Sequence, residues 1–119
     1  MYFFDTYALI EVFRGNPEYV NYNDFPLKVS QLNVGEFYIY LIRTKGLQEA
    51  RSTVMAASFD IQDMTTDVTI AAADFKIVHK KKKLSWADCV GYVVAKKLSL
   101  KFLTGDSQFK GMANVEFVK

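Results

Sequence analysis

Four acidic residues fall where strands are expected to end and helices to begin: Asp5, Glu36, Asp88 and Asp106. Asp5 closes the apolar run Tyr2-Phe3-Phe4, and Glu36 opens the helix expected after the second strand. Asp88 lies in the first turn of a helix behind Ser85, and Asp106 follows Leu103-Thr104-Gly105. Grouped carboxylates repel one another, so a cluster persists only with a cation or with raised pKa values. Such hard oxygen donors suit Mg²⁺ or Mn²⁺, held through a few carboxylates, water and substrate phosphate. The chemistry on offer is hydrolysis of a phosphodiester by activated water. A plainer reading stands beside it. Ser85-Trp86-Ala87-Asp88 and Asn33-Val34-Gly35-Glu36 both have capping-box spacing, and Asp106 fits a Gly-Asp turn. Asp5 has no evident cap to make.

Other chemistries find little support. His79 is the only histidine, so a paired-imidazole mechanism is absent. Cys89 has no His near it in sequence and reads as a small buried hydrophobe. No Gly-rich phosphate loop occurs. Lys80–Lys83 reads either as a solvated helix end or as a site for RNA phosphates. Tyr38 and Tyr40 lie two apart on one helix and cannot share a face, which leaves one of them for a partner.

The elements that must position the acids follow from periodicity and punctuation. Strands are expected at Tyr2–Asp5, Leu27–Leu32, Phe59–Gln62, Lys101–Thr104 and Val115–Val118. Helices are expected at Tyr7–Arg14, Val34–Thr44, Leu47–Ala57 and Trp86 to about Lys97. Val68, Ala71, Ala72, Phe75 and Val78 mark a further amphipathic helix behind Thr65 or Thr66. Gly15-Asn16-Pro17 and Asn23-Asp24-Phe25-Pro26 read as loops. Alternating strands and helices imply an α/β fold whose mainly parallel sheet of about five strands is covered on both faces. Ligands of such sheets bind at the carboxyl ends of the strands, where all four acids fall. They are expected to meet there, close enough to share one or two ions.

Asp5-Thr6-Tyr7-Ala8-Leu9-Ile10 resembles the opening of PIN-domain proteins. Glu36, within Leu32-Asn33-Val34-Gly35-Glu36-Phe37, sits where that family places its early-helix Glu. Ser85-Trp86-Ala87-Asp88 resembles its small-x-Ala-Asp segment, and Leu103-Thr104-Gly105-Asp106-Ser107-Gln108-Phe109 its Leu-Thr-x-Asp-x-x-Phe segment. The order and spacing resemble the short VapC-type toxins over essentially the whole chain; Trp86, Gly91 and Tyr92 depart from the usual pattern. The resemblance implies a three-layer α/β/α domain and a metal-dependent endoribonuclease, commonly the toxin of a toxin–antitoxin pair and often a homodimer. Asp5, Asp88 and Asp106 would then hold Mg²⁺ or Mn²⁺, and Glu36 would orient a water or a second ion. Thr104 would supply a nearby hydroxyl, with Thr6 supporting. The alternative keeps the fold without turnover, as an RNA-binding or protein-interaction module whose acids serve as caps.

Composition sets the outer bounds. The 119 residues suit one domain spanning 1–119, and half of them are apolar, which excludes a disordered chain. Fifteen basic against thirteen acidic residues leave +2, too mild a balance to demonstrate a nucleic-acid partner by itself. One cysteine precludes a disulfide framework. The N-terminal residues lack the basic start of a signal peptide, and no apolar run is of membrane-spanning length, so the expectation is a cytoplasmic protein.

Overall fold

A computed structural model describes residues 1–119. The strands are β1 (Tyr2–Phe4), β2 (Leu27–Val29), β3 (Phe59–Ile61), β4 (Lys101–Thr104) and β5 (Val115–Phe117). The helices are α1 (Thr6–Arg14), α2 (Gln31–Lys45), α3 (Leu47–Ala56), α4 (Thr66–Val78) and α5 (Trp86–Lys97). All four strand pairings are parallel, and the order across the sheet is β3-β2-β1-β4-β5. The chain therefore builds outward from β1 in one direction, then crosses and builds in the other. That reversal makes the carboxyl ends of β1 and β4 the topological switch point of the sheet.

Side chains alternate across the central pair and divide the core in two. Phe3 pairs in register with Phe102, and both are buried in the cluster under α4 and α5. Phe4 pairs with Leu103, and both are buried in the opposite cluster under α1, α2 and α3. With both faces covered, β1 and β4 read as apolar runs rather than as alternating sequences. The result is the three-layer α/β/α arrangement with a five-stranded, wholly parallel sheet. No helix is long and apolar enough to cross a membrane.

Four differences from expectation each have a local reason. α2 starts at Gln31, not Val34, because Ser30 and Asn33 form the capping box there. Strand β2 accordingly stops at Val29 instead of Leu32. Glu36 is thus not a capping residue. It lies in the second turn of α2, and the capping reading of Asn33 to Glu36 is overturned. The stretch read as a loop at Pro17 continues as a 3-10 helix over Pro17–Tyr22, capped by the side chain of Asn16. Finally, Asp5 ends no strand. Its carboxylate accepts from the Thr6 amide as the N-cap of α1, so the acid that looked hardest to explain as a cap is one.

Two glycines allow close approach at the heart of this fold. A Cβ on Gly91 of α5 would stand 2.8 Å from the Phe3 ring, so the small face of α5 meets the sheet. A Cβ on Gly105, between Thr104 and Asp106, would collide with the Tyr7 ring and with the Val118 carbonyl oxygen. The second clash involves backbone and cannot be relieved by a rotamer change. Gly105→Ala should therefore destabilise the protein by ~1–3 kcal/mol, the usual range for overpacking. Denaturant melts check this; an unchanged midpoint would show that the β4–β5 corner has slack.

Candidate active site

Every acid is carried to the same edge by a different piece of backbone. Asp5 follows β1 as the N-cap of α1, and Asp106 follows β4 as the cap of the short 3-10 turn Ser107–Phe109. Asp88 sits in the first turn of α5, whose start faces the same edge because α5 runs back against β4. Glu36 comes from α2. Helix N-termini carry partial positive charge, so the starts of α1 and α5 favour the carboxylates placed on them.

Three hydroxyl groups link the four acids. Thr104 Oγ1 donates to Asp5 Oδ2 at 2.7 Å and accepts from the Asp106 amide at 3.0 Å. Thr6 Oγ1 donates to Glu36 Oε1 at 2.6 Å. Ser85 Oγ donates to Glu36 Oε2 at 3.3 Å and accepts from the Asp88 amide at 3.0 Å. Asp88 completes its capping box by accepting from the Ser85 amide at 2.8 Å, and Asp106 Oδ1 accepts from the Gln108 amide at 3.0 Å. The network continues inward. Asn33 Nδ2 donates to Thr6 Oγ1 at 3.1 Å, while Asn33 Oδ1 accepts from the hydroxyl and amide of Ser30.

Electrostatics confirms that the acids feel one another. Asp5 is 2% exposed, and its pKa is pushed up to about 8, first by burial and next by the charge of Asp88. The hydrogen bonds from Thr104 and Thr6 work against that rise, and Glu36 adds to it. Burial also pushes the Asp88 carboxyl up despite its cap hydrogen bonds, with Glu36 and Asp106 adding repulsion. A cap at a solvated helix start has its pKa lowered; at Asp5 and Asp88 burial, with the neighbouring acids, outweighs that effect.

The donor set fits a divalent cation in kind: hard oxygens, mutually repelling, with Asp88 Oδ1 and Asp106 Oδ2 taking no hydrogen bond from protein groups. No three of these groups are drawn together as a preformed metal cage. Asp5, Asp88 and Asp106 are tethered by their caps and Glu36 by Thr6 and Ser85, and their repulsion works against closer approach.

Of the residues read from sequence, Asp5, Thr6, Glu36, Asp88, Thr104 and Asp106 all enter this network. Ser30, Asn33 and Ser85 as a partner of Glu36 were missed. The Ser30-x-x-Asn33 spacing was the available signal. His79 stands apart, packed against the Phe75 ring at 4.4 Å, and Cys89 is buried.

The raised carboxyl of Asp5 sets a pH dependence. Its protonated form is favoured in the folded state, so the stabilisation is fully present below pH ~4 and is lost as pH rises through about 8. In EDTA, wild-type Tm should fall across that window by several degrees more than that of Asp5→Asn, which keeps a capping side chain. Parallel slopes for the two proteins would contradict the buried, repelled state of Asp5.

Comparison with known proteins bears on the fold and the family. No curated protein matches the sequence significantly. Among solved structures, the chain is similar to a toxin–antitoxin complex from Klebsiella pneumoniae, with TM-score 0.73, 21% identity and coverage of 98% of this chain and 96% of that one. It is also similar to Mycobacterium tuberculosis VapC20, a sarcin-ricin loop cleaving toxin, with TM-score 0.76, 18% identity and full coverage of both chains. A third is VapBC2 from Rickettsia felis bound to a promoter DNA fragment, with TM-score 0.72, 15% identity and coverage of 99% and 98%. These likenesses concern the fold. The sequence itself matches the PIN domain family over residues 2–115, nearly its whole length, and the chain belongs to that family.

Proposed function

We propose that this PIN domain is a Mg²⁺- or Mn²⁺-dependent endoribonuclease, the toxin of a toxin–antitoxin pair. The observation that carries the reading is the convergence of four acids at the β1/β4 switch point, where Asp88 and Glu36 raise the cost of ionising Asp5, and Glu36 and Asp106 that of ionising Asp88. Asp5, Asp88 and Asp106 would hold the cation. A divalent ion bound there supplies charge neutralisation at a phosphodiester and makes water more acidic.

The chain's own groups do the rest. Thr104 fixes one oxygen of Asp5 and so orients the other. Glu36, gripped at its two oxygens by Thr6 and Ser85, is the acceptor that orients the attacking water and takes its proton. Asn33 holds Thr6 in the rotamer that serves Glu36. Burial of Asp5 and Thr104 keeps bulk water from their hydrogen bond.

One structural relative is a sarcin-ricin loop cleaving toxin, another a toxin–antitoxin complex and a third VapBC2, which supports an RNA substrate and an antitoxin partner for this chain. The groove between α2 and α3, lined by Val34, Tyr38, Val54 and Met55, with Met55 largely exposed, provides apolar surface for a homodimer partner. Sedimentation at high micromolar concentration should show self-association.

The reading without turnover has a specific observation in its favour, because Asp5, Asp88 and Asp106 each make a cap hydrogen bond. Metal response separates the two. Millimolar Mn²⁺ should raise wild-type Tm by mass action and raise that of Asp88→Asn much less. RNA cleavage should vanish in EDTA and fall at least ~100-fold in Asp5→Asn or Asp106→Asn, in line with loss of a preorganised charge. Equal Mn²⁺ response in wild type and Asp88→Asn, with no cleavage by either, would leave only the capping role.

A further inference from the structure

The sequence left Lys80–Lys83 between two readings, and the structure adds what distinguishes them. This run forms the turn between α4 and α5, separated from Ser85 only by Leu84, and so lies at the same edge as the acids. It is not a freely solvated helix end. Lys83 donates its amide to Gln108 Oε1 at 2.6 Å, and Gln108 Nε2 returns a bond to the Lys83 carbonyl at 3.1 Å. Lys82 Nζ donates to the Gln108 carbonyl at 2.7 Å. The amide of the same Gln108 is held by Asp106 Oδ1. Three bonds therefore clamp the lysine turn to the turn that carries Asp106.

The charges on this turn are also unspent. The chain has two ion pairs, Arg14–Glu11 and Lys28–Asp60, and neither involves the run. Lys80, Lys81 and Lys83 are exposed, with ammonium groups that meet no protein acceptor. Four adjacent cations beside four mutually repelling carboxylates form an electrostatic boundary across which an anionic chain would lie. Its backbone would rest on the lysines, with one phosphate extended toward the acids.

We infer that Lys80–Lys83 is the backbone-binding rail for single-stranded RNA, and that Gln108 is the positioning residue that sets its reach to Asp106. The inference rests on the ribonuclease reading. Each phosphate neutralised on a single strand contributes about 0.7 to the slope of log affinity against log salt concentration.

The test is binding of a short fluorescent single-stranded RNA in EDTA at several salt concentrations. Lys80→Gln/Lys81→Gln should bind more weakly and reduce the slope by about 1.4 for two lost phosphate contacts. Lys96→Gln/Lys97→Gln removes the same charge at the far, exposed end of α5 and should leave the slope unchanged. Equal losses in the two double variants would reduce the effect to net charge and overturn the rail. Gln108→Ala removes no charge, so its slope should match wild type, while KM for cleavage rises several-fold and kcat holds. A fall in kcat at constant KM would overturn the positioning role. If wild type cleaves RNA and neither lysine pair affects binding, the rail fails alone. If wild type neither binds nor cleaves RNA, it fails together with the nuclease reading.

Discussion

Burying a carboxylate beside other carboxylates is the constraint around which this molecule is organised. Asp5 is almost wholly excluded from solvent, and two further acids raise the cost of ionising it. A group in that position must be compensated by donors, dipoles or a cation. The fold supplies the first two. Parallel strands place helix starts at one edge of the sheet, and α1 and α5 present amides and partial positive charge there. Thr104, Thr6 and Ser85 then give one hydroxyl each, and no buried side-chain nitrogen or oxygen is left without a partner.

That compensation explains why capping and site formation are not competing descriptions. Each cap hydrogen bond occupies one oxygen of a carboxylate and fixes the direction of the other. Ser85 shows the economy of the arrangement: its hydroxyl caps α5 and also reaches Glu36 on α2, tying two helices from opposite sides of the sheet. Gly105 and Gly91 serve the same end by steric means. One lets the C-terminal strand close against the Asp106 turn, and the other lets α5 settle onto Phe3 and Phe102.

Most of this was legible in the sequence because its signals are local. Apolar runs bounded by turn residues gave the strands, 3.6-residue spacing gave α4, and Ser85 with Asp88 marked the start of α5. The four acids and two threonines were found through strand-end position and motif order. What escaped depends on competition or on distance in the chain. Two possible caps, Ser30 and Asn33, lie three residues apart, each followed at the third position by a polar residue, and spacing alone does not rank the box that Ser30 begins above the one that Asn33 would begin. The cap role of Asp5 was hidden because a strand end and a helix start coincide at one residue. The clamp between Gln108 and Lys83 joins segments 25 residues apart, and side-chain periodicity carries no trace of such a contact.

The central claim is that these acids behave as one electrostatic unit. Carbon-detected NMR titration of the Asp5 carboxyl, in metal-free wild type and in Asp88→Asn, addresses it most directly. The account predicts a wild-type midpoint far above that of an ordinary aspartate, near 8, and a clear downward shift when Asp88 is neutralised. An Asp5 midpoint that is ordinary, or that does not move in Asp88→Asn, would contradict it.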